Sequence, residues 1–275
     1  VELEAKVAKL SDGTDTRFSM LLWGPPKSGK SVLASQFPSP YFLCLEKGLG
    51  SVRAMTTALG QKVDFPVIDI DNDDATDPDF IEMCGPMKAA SAWSKTMKAF
   101  EMLCKKLPAD NHLVVDNLSR MSEHLMVHVK KIVGRDVFQQ QDWGTYATEL
   151  QKFMGYMSVA KCNVIFIGHE EWREDKVTGE VLKSILMPGS MKHRIPGIVS
   201  DYVYLSSLVS GPAAAPKVVR RLQCTPNKYA NLGNRSLMPN MDDPTYAKMR
   251  PYLSAALGHD LGEPTWTPLE PTTAK

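Results

Sequence analysis

Gly24-Pro25-Pro26-Lys27-Ser28-Gly29-Lys30-Ser31 decides the reading of this chain. The stretch has the spacing G-x-x-x-x-G-K-S, in which each fixed position has a physical task. A glycine at 29 leaves room for the backbone N–H groups of the loop to converge on phosphate oxygens. Lys30 brings a point charge to the β- and γ-phosphates, and the Ser31 hydroxyl is a ligand for Mg2+. The apolar run Phe18–Trp23 before the loop reads as a strand. Ser31–Phe37 after it reads as a helix whose positive N-terminal end adds to the anion site. The positions expected to touch nucleotide are Gly24, Pro25, Pro26, Lys27, Ser28, Gly29, Lys30, Ser31 and Val32, with ATP and Mg2+ as the bound species.

Three more apolar runs, 41–45, 112–115 and 163–167, alternate with the helix-compatible segments 89–106 and 146–160. Strands alternating with helices imply an α/β fold, a mostly parallel sheet with helices on both faces. In such a sheet the carboxyl ends of the strands share one edge, so residues just after each run are candidate site residues. Asp116 ends the run His112–Val115 and is the carboxylate expected to complete the Mg2+ shell with Ser31. Glu46 ends the run 41–45 and is expected to orient or deprotonate the attacking water, with Glu170 and Glu171 as rivals. His169 follows 163–167 and reads either as a sensor of the γ-phosphate or as a packing residue. The expected catalytic set is thus Lys30, Glu46, Asp116 and His169. His124 and His128 stand at i, i+4, but no third ligand accompanies them, and they read as helix surface.

A chain of 275 residues, 43% hydrophobic and 23% charged, is long enough for one main α/β core with an appendage. Its formal net charge of +1 gives no global pull toward nucleic acid or membrane, so polyanion binding requires a local basic face. No run approaches the ~20 apolar residues of a membrane span. The five cysteines lack a C-x-x-C pair, which fits free thiols in the cytoplasm. Local charge is uneven. Residues 63–87 hold eight acids, among them Asp69, Asp71, Asp73 and Asp74, and no base. Residues 202–241 hold Lys217, Arg220, Arg221, Lys228 and Arg235 and no acid. Segments 202–209 and 218–225 read as further strands in a hairpin, separated by a turn over 210–216. Segment 246–257 reads as a helix, and 262–275 as a loose tail. The expected division is an extension over 1–16, a core over 17–236, and a C-terminal helix and loose tail over 237–275.

The order of phosphate loop, strand ending in Glu46, strand ending in Asp116 and strand ending in His169 resembles the RecA-like P-loop NTPase core. More narrowly it resembles the phage-encoded RecA-like ATPases of the AAA-24 type, which include the Sak-group single-strand annealing proteins. The resemblance spans about residues 17–236. It implies a DNA-stimulated ATPase that binds single-stranded DNA in recombination or strand annealing. It also implies a homo-oligomeric ring or filament, contact with a single-strand-binding protein, and a place in the host cytoplasm.

By position, one DNA-binding loop of that family falls within Ser119–Trp143 and another within Glu170–Ile195. There Lys130, Lys131, Arg135, Lys192, His193 and Arg194 are expected to meet phosphates, and Trp143 or Trp172 to stack on bases. The alternative is that the charges are solvated and the rings packed. Lys192 falls at the family's subunit boundary, while Lys228 and Arg235 are expected to act in trans on a neighbour's nucleotide. Only sixteen or so residues precede the first strand and the gap from Lys30 to Glu46 is short, which favours annealing over strand exchange. Two other readings stay open: a motor or loader that acts on a protein through the acidic stretch, and a small-molecule phosphotransferase with a lid near Arg173.

Overall fold

Along strand β1 (Ser19–Gly24) the side chains alternate between two apolar layers. Met20 and Leu22 enter one buried cluster, and Leu21 and Trp23 the other. The same alternation holds in β4 (His112–Asp116) and at the start of β5 (Asn163–Glu174), which is why these strands read as continuous hydrophobic runs. The computed structural model describes residues 17–70, 78–85, 91–174, 176, 179–210 and 217–268.

The remaining strands are β2 (Pro40–Cys44), β3 (Val67–Asp69), β6 (Val181–Ile185), β7 (Asp201–Ser210), β8 (Lys217–Gln223) and the two-residue β9 (Gly233–Asn234) and β10 (Met241–Asp242). They form one mixed sheet in the order β10-β8-β7-β1-β5-β4-β2-β3, with β6 on β5 and β9 on β7. From β7 to β3 every neighbouring pair is parallel. The antiparallel strands lie at the β8 side and in the β5–β6 hairpin.

Helices α4 (Ala92–Lys106), α5 (Leu118–Val133) and α6 (Asp142–Gly155) cover one face, with Trp93, Phe100, Leu125 and Phe153 in its core. The short α1 (Lys30–Ala34) and α8 (Tyr246–Leu257) cover the other, with Leu33, Phe37, Tyr246 and Leu253 buried between them. Helices α2 (Gly50–Ala58), α3 (Pro78–Cys84) and α7 (Ile195–Ile198) complete the fold.

Because both faces of the sheet are apolar, the hydrophobic pattern alone leaves strand register loosely specified. A buried polar chain supplies the missing constraint at the amino edge. Asn163 Oδ1 accepts the Phe18 N–H at 3.0 Å, its Nδ2 faces His112 Nε2 at 3.4 Å, and His112 Nδ1 donates to the Pro38 carbonyl at 2.6 Å. Burial pushes the His112 imidazole down to about 4, so it stays neutral and offers one donor and one acceptor. The resulting register sets Gly24 opposite His169, Ile167 opposite Asp116, and Asp116 opposite Cys44.

Several expectations change. Within 119–143, α5 runs to Val133, capped by Asn117 Oδ1 on the Arg120 N–H at 2.8 Å, and α6 begins at Asp142, so the loop expected in this span narrows to 134–141. The span 170–195 is largely a β-hairpin, because β5 runs on to Glu174 and pairs with β6. His124 is buried and His128 Nδ1 lies 2.9 Å from Ser91 Oγ, so neither is simple helix surface. The β7–β8 hairpin forms as expected, although its turn at 211–216 lies outside the described residues, as do 1–16, Asp71, Asp73, Asp74 and 269–275. All five cysteines are free.

The tail is not loose over 262–268. Trp266 is 3% exposed and its Nε1 donates to Ser35 Oγ at 3.0 Å, while Thr265 Oγ1 donates to the Phe37 carbonyl at 2.7 Å. This segment straps the end of α1. Trp266→Ala is therefore expected to lower stability by about 3–5 kcal/mol in urea unfolding, the usual cost of emptying a large buried aromatic site. A loss near zero would show that the strap does not dock in solution.

Candidate nucleotide site

The loop between β1 and α1 takes its shape from two glycines. A Cβ on Gly24 would lie 2.1 Å from the Leu205 carbonyl oxygen, so only glycine lets β1 leave the sheet against β7 at this point. Gly29 has φ +98°, in the region that favours glycine, and caps the start of α1. Lys30 folds back across the loop and donates from Nζ to the carbonyls of Gly24 at 3.0 Å and Pro25 at 2.7 Å. Ser31 Oγ donates to Asp116 Oδ2 at 2.6 Å. The register explains this contact, because β4 reaches the site one strand beyond β5 and delivers Asp116 to the loop's mouth.

Burial strains the charges of both partners. It lowers the Lys30 ammonium to about 8, and the carboxylates of Asp116, Glu170 and Glu46 offset part of the effect. Burial likewise raises Asp116, against the opposing pull of the Ser31 hydroxyl and the Lys30 charge. Each group is thus held away from its favoured charge state and partly relieved by the other.

Glu46, Asn117 and His169 form a second cluster beside the first. Asn117 Nδ2 donates to Glu46 Oε2 at 2.6 Å and lies 3.1 Å from His169 Nε2, which is itself 3.4 Å from Glu46 Oε2. The His169 N–H donates to Ser119 Oγ at 3.1 Å. Asn117 follows Asp116 through a cis peptide bond, and its side chain both caps α5 and holds Glu46. Asn117 is absent from the sequence-derived set. Its only local signal is an Asn just before a helical apolar period, which reads as a cap and nothing more.

The rivals of Glu46 face elsewhere. Glu170 accepts from the Tyr204 hydroxyl at 2.6 Å and from Trp172 Nε1 at 2.9 Å. Glu171 is bound by Lys192 at 2.5 Å and Arg173 at 2.9 Å.

A cleft of about 600 Å³ opens over Lys30, Ser31, Glu46, Asp116 and His169. Arg220 from β8 also lines it and was not among the expected site residues. Hydroxyl and carboxylate side by side suit Mg2+, which is usually held by one or two carboxylates together with substrate phosphates rather than by a full protein cage. The described residues contain no group of three or more His, Cys, Asp or Glu able to hold a metal alone.

The other expected residues do not converge here. Lys130 and Lys131 lie in the last turn of α5, and Arg135 pairs with the buried Asp142 at 2.5 Å. Trp143 packs edge-on against Phe138 and Tyr146. Lys192 is buried on Glu171, whereas His193 and Arg194 are exposed. Trp172 is 58% exposed on the β5–β6 hairpin, with the Lys183 ammonium 4.2 Å from its ring centre. Lys228 is exposed beside Tyr229. Arg235 lines a different cleft with Arg17 and Ser19, at the end of β1 away from the phosphate loop.

A family model described as an AAA domain, AAA_24, matches residues 16–250. The chain belongs to that family. The match spans the phosphate loop, the Asp116 strand and the β7–β8 hairpin, and with the strand order above it makes this AAA_24 chain a P-loop ATPase domain of α/β fold. No curated protein matches the sequence. Among solved structures, a RadB recombinase is similar over 74% of this chain and 79% of its own, at 14% identity and a TM-score of 0.41, a likeness too distant to bear on function. Among the described residues of this AAA_24 chain, no helix is long and apolar enough to cross a membrane.

The lowered Lys30 value gives the site a signed pH dependence. Bound phosphate keeps Lys30 protonated, but the free site loses that proton as pH rises through about 8. Nucleotide binding must then take up a proton, and affinity is expected to fall roughly tenfold per pH unit above that point. Calorimetric titrations between pH 7 and 9.5 in buffers of different ionisation heat check this. A flat affinity with no proton uptake would rule it out.

Proposed function

We propose that the chain is a Mg2+-dependent ATPase whose nucleotide state is coupled to single-stranded DNA held at the β5–β6 hairpin, in recombination of the strand-annealing kind. The observation that carries the nucleotide half is the 2.6 Å contact between Ser31 and Asp116 beneath a glycine-shaped loop. Bound ATP supplies the phosphoanhydride to be cleaved, and Mg2+ draws charge from its oxygens. Lys30 exchanges its two loop carbonyls for phosphate oxygens, while the Ser31 and Asp116 oxygens hold the cation. Glu46, half exposed at the cleft and fixed by Asn117, orients the attacking water and takes its proton on the carboxylate. His169 stays in contact with both.

Strand continuity supports the DNA half of the proposal. His169 begins the stretch of β5 that runs without a break to Trp172, three residues on, where the exposed indole and Lys183 offer a stacking face and a cation. A displacement at His169 passes along one strand to that face. Lys228 and Arg235 are exposed away from the chain's own cleft, which fits action in trans within a ring or filament. A single-strand-binding protein is the partner expected to share the DNA.

The test is the ATP hydrolysis rate with and without single-stranded DNA, with Lys30→Ala as the blank. DNA is expected to raise the rate. Glu46→Gln is expected to slow hydrolysis by about 10²–10⁴-fold with ATP affinity retained. Trp172→Ala is expected to weaken DNA binding by about 1–3 kcal/mol per stacked base. A rate indifferent to DNA but raised by a protein partner points to a motor or loader, and one raised by a small acceptor to a phosphotransferase.

A further inference from the structure

Behind the phosphate cleft lies a second cleft of about 480 Å³, which shares Gly29, Val32, Met55 and Arg220 with the first. Its walls are largely apolar, formed by Leu59, Leu205, Val218 and Pro244, and the strap at Thr267 closes one side. The volume is within the ~300–1,000 Å³ range of small-molecule sites. We propose that this cleft holds the nucleoside of the bound nucleotide, that Arg220 contacts the nucleotide at the neck between the clefts, and that the cleft distinguishes adenine from guanine only weakly. The proposal deepens the nucleotide reading above and rests on it.

Arg220 is fixed at the backbone, but its side-chain Nε lacks a partner among the described residues. Its N–H donates to Asp243 Oδ1 at 3.0 Å, and its carbonyl accepts from the Asp243 N–H at 2.6 Å. The side chain then lies over the phosphate loop, so close that a Cβ on Gly29 would stand 2.7 Å from Nε. That Nε is buried without a hydrogen-bond partner among the described residues. A buried donor left unmade is costly, and the nearest place from which an acceptor can arrive is the joint of the two clefts, where the sugar and α-phosphate of a nucleotide pass.

Weak discrimination follows from what the polar groups of the cleft already do. Gln36 accepts the Tyr246 N–H at 3.1 Å and donates to the Val32 carbonyl at 3.3 Å. Lys248 donates to the carbonyls of Asp242 at 3.2 Å and Asp243 at 2.8 Å, and Thr245 Oγ1 accepts the Lys248 N–H at 3.3 Å. Beyond these committed groups the lining adds Lys217, Thr267 and Asp243, the last of which holds the Arg220 N–H, and the rest of the surface that the base meets is largely apolar. Apolar pockets separate close analogues by about 10–200-fold, against 10⁴–10⁵ where a site hydrogen-bonds the distinguishing group.

The experiment is calorimetric titration of the full chain with the Mg2+ complexes of ATP, GTP and tripolyphosphate. ATP and GTP are expected within about tenfold of each other and tripolyphosphate at least a hundredfold weaker. Arg220→Gln is expected to weaken ATP by tenfold or more. Val218→Asp, at an exposed edge position, is expected to weaken ATP and leave tripolyphosphate unchanged; unaltered thermal melting shows that both variants fold. Tripolyphosphate binding as tightly as ATP overturns the nucleoside cleft while sparing the phosphate loop, and GTP a thousandfold weaker than ATP overturns weak discrimination. Unchanged ATP affinity in Arg220→Gln overturns that contact. If neither ATP nor tripolyphosphate binds, the nucleotide reading falls and this proposal with it.

Discussion

The buried chain from Pro38 through His112 and Asn163 to Phe18 is the constraint on which the site depends. It ties the starts of β2, β4, β5 and β1 together in a sheet whose two faces are otherwise interchangeable hydrocarbon. A slip of one residue in β4 would reverse every side chain of that strand and carry Asp116 away from Ser31. Polar contacts at one edge of the sheet therefore set the position of charged groups at the other. Any other register would leave these buried groups without their partners, a cost that favours the observed one.

At the opposite edge, the loop holds groups in states they would leave if free to do so. Lys30 is kept on backbone carbonyls and pressed toward neutrality, Asp116 is pressed toward protonation, and Arg220 presents a buried donor with no acceptor among the described residues. On the proposed nucleotide reading, an anion entering with a divalent cation would relieve all three at once. Affinity at such a site comes partly from removing discomfort that folding has already imposed, the general logic of preorganisation.

How much of this was legible in the sequence depended on whether the information was local. The phosphate loop and the apolar runs that lead to Glu46, Asp116 and His169 could be read because motif and run are contiguous, although β5 continues past His169 to Glu174. Helix α5 was equally present, with Leu118, Met121, Leu125 and Val129 at helical spacing behind an Asn cap, but the resemblance only placed a loop somewhere within 119–143 and left the helix unread. Asn117 and Arg220 had no such signal. One works by reaching from the end of β4 to Glu46 beyond the neighbouring β2, and the other by lying over a loop far away in sequence, so only the folded topology brings them to the site. The strap at 265–268 was hidden for a related reason. Its prolines mark it as irregular, and irregular segments dock through single anchors such as Trp266 rather than through a period.

That strap has a consequence for how the molecule is made. Helix α1 has five residues, too few to persist alone, and its far end is held by Thr265 and Trp266 across a separation of 231 residues in the case of Ser35. During synthesis α1 must wait for the strap, 231 residues beyond Ser35, before its far end is anchored. Strands β4, β5 and β7, which flank the loop, also arrive in the interval. The final shape of the loop therefore rests on contacts of long sequence separation, which are slow to form because the chain must be closed before they reward it.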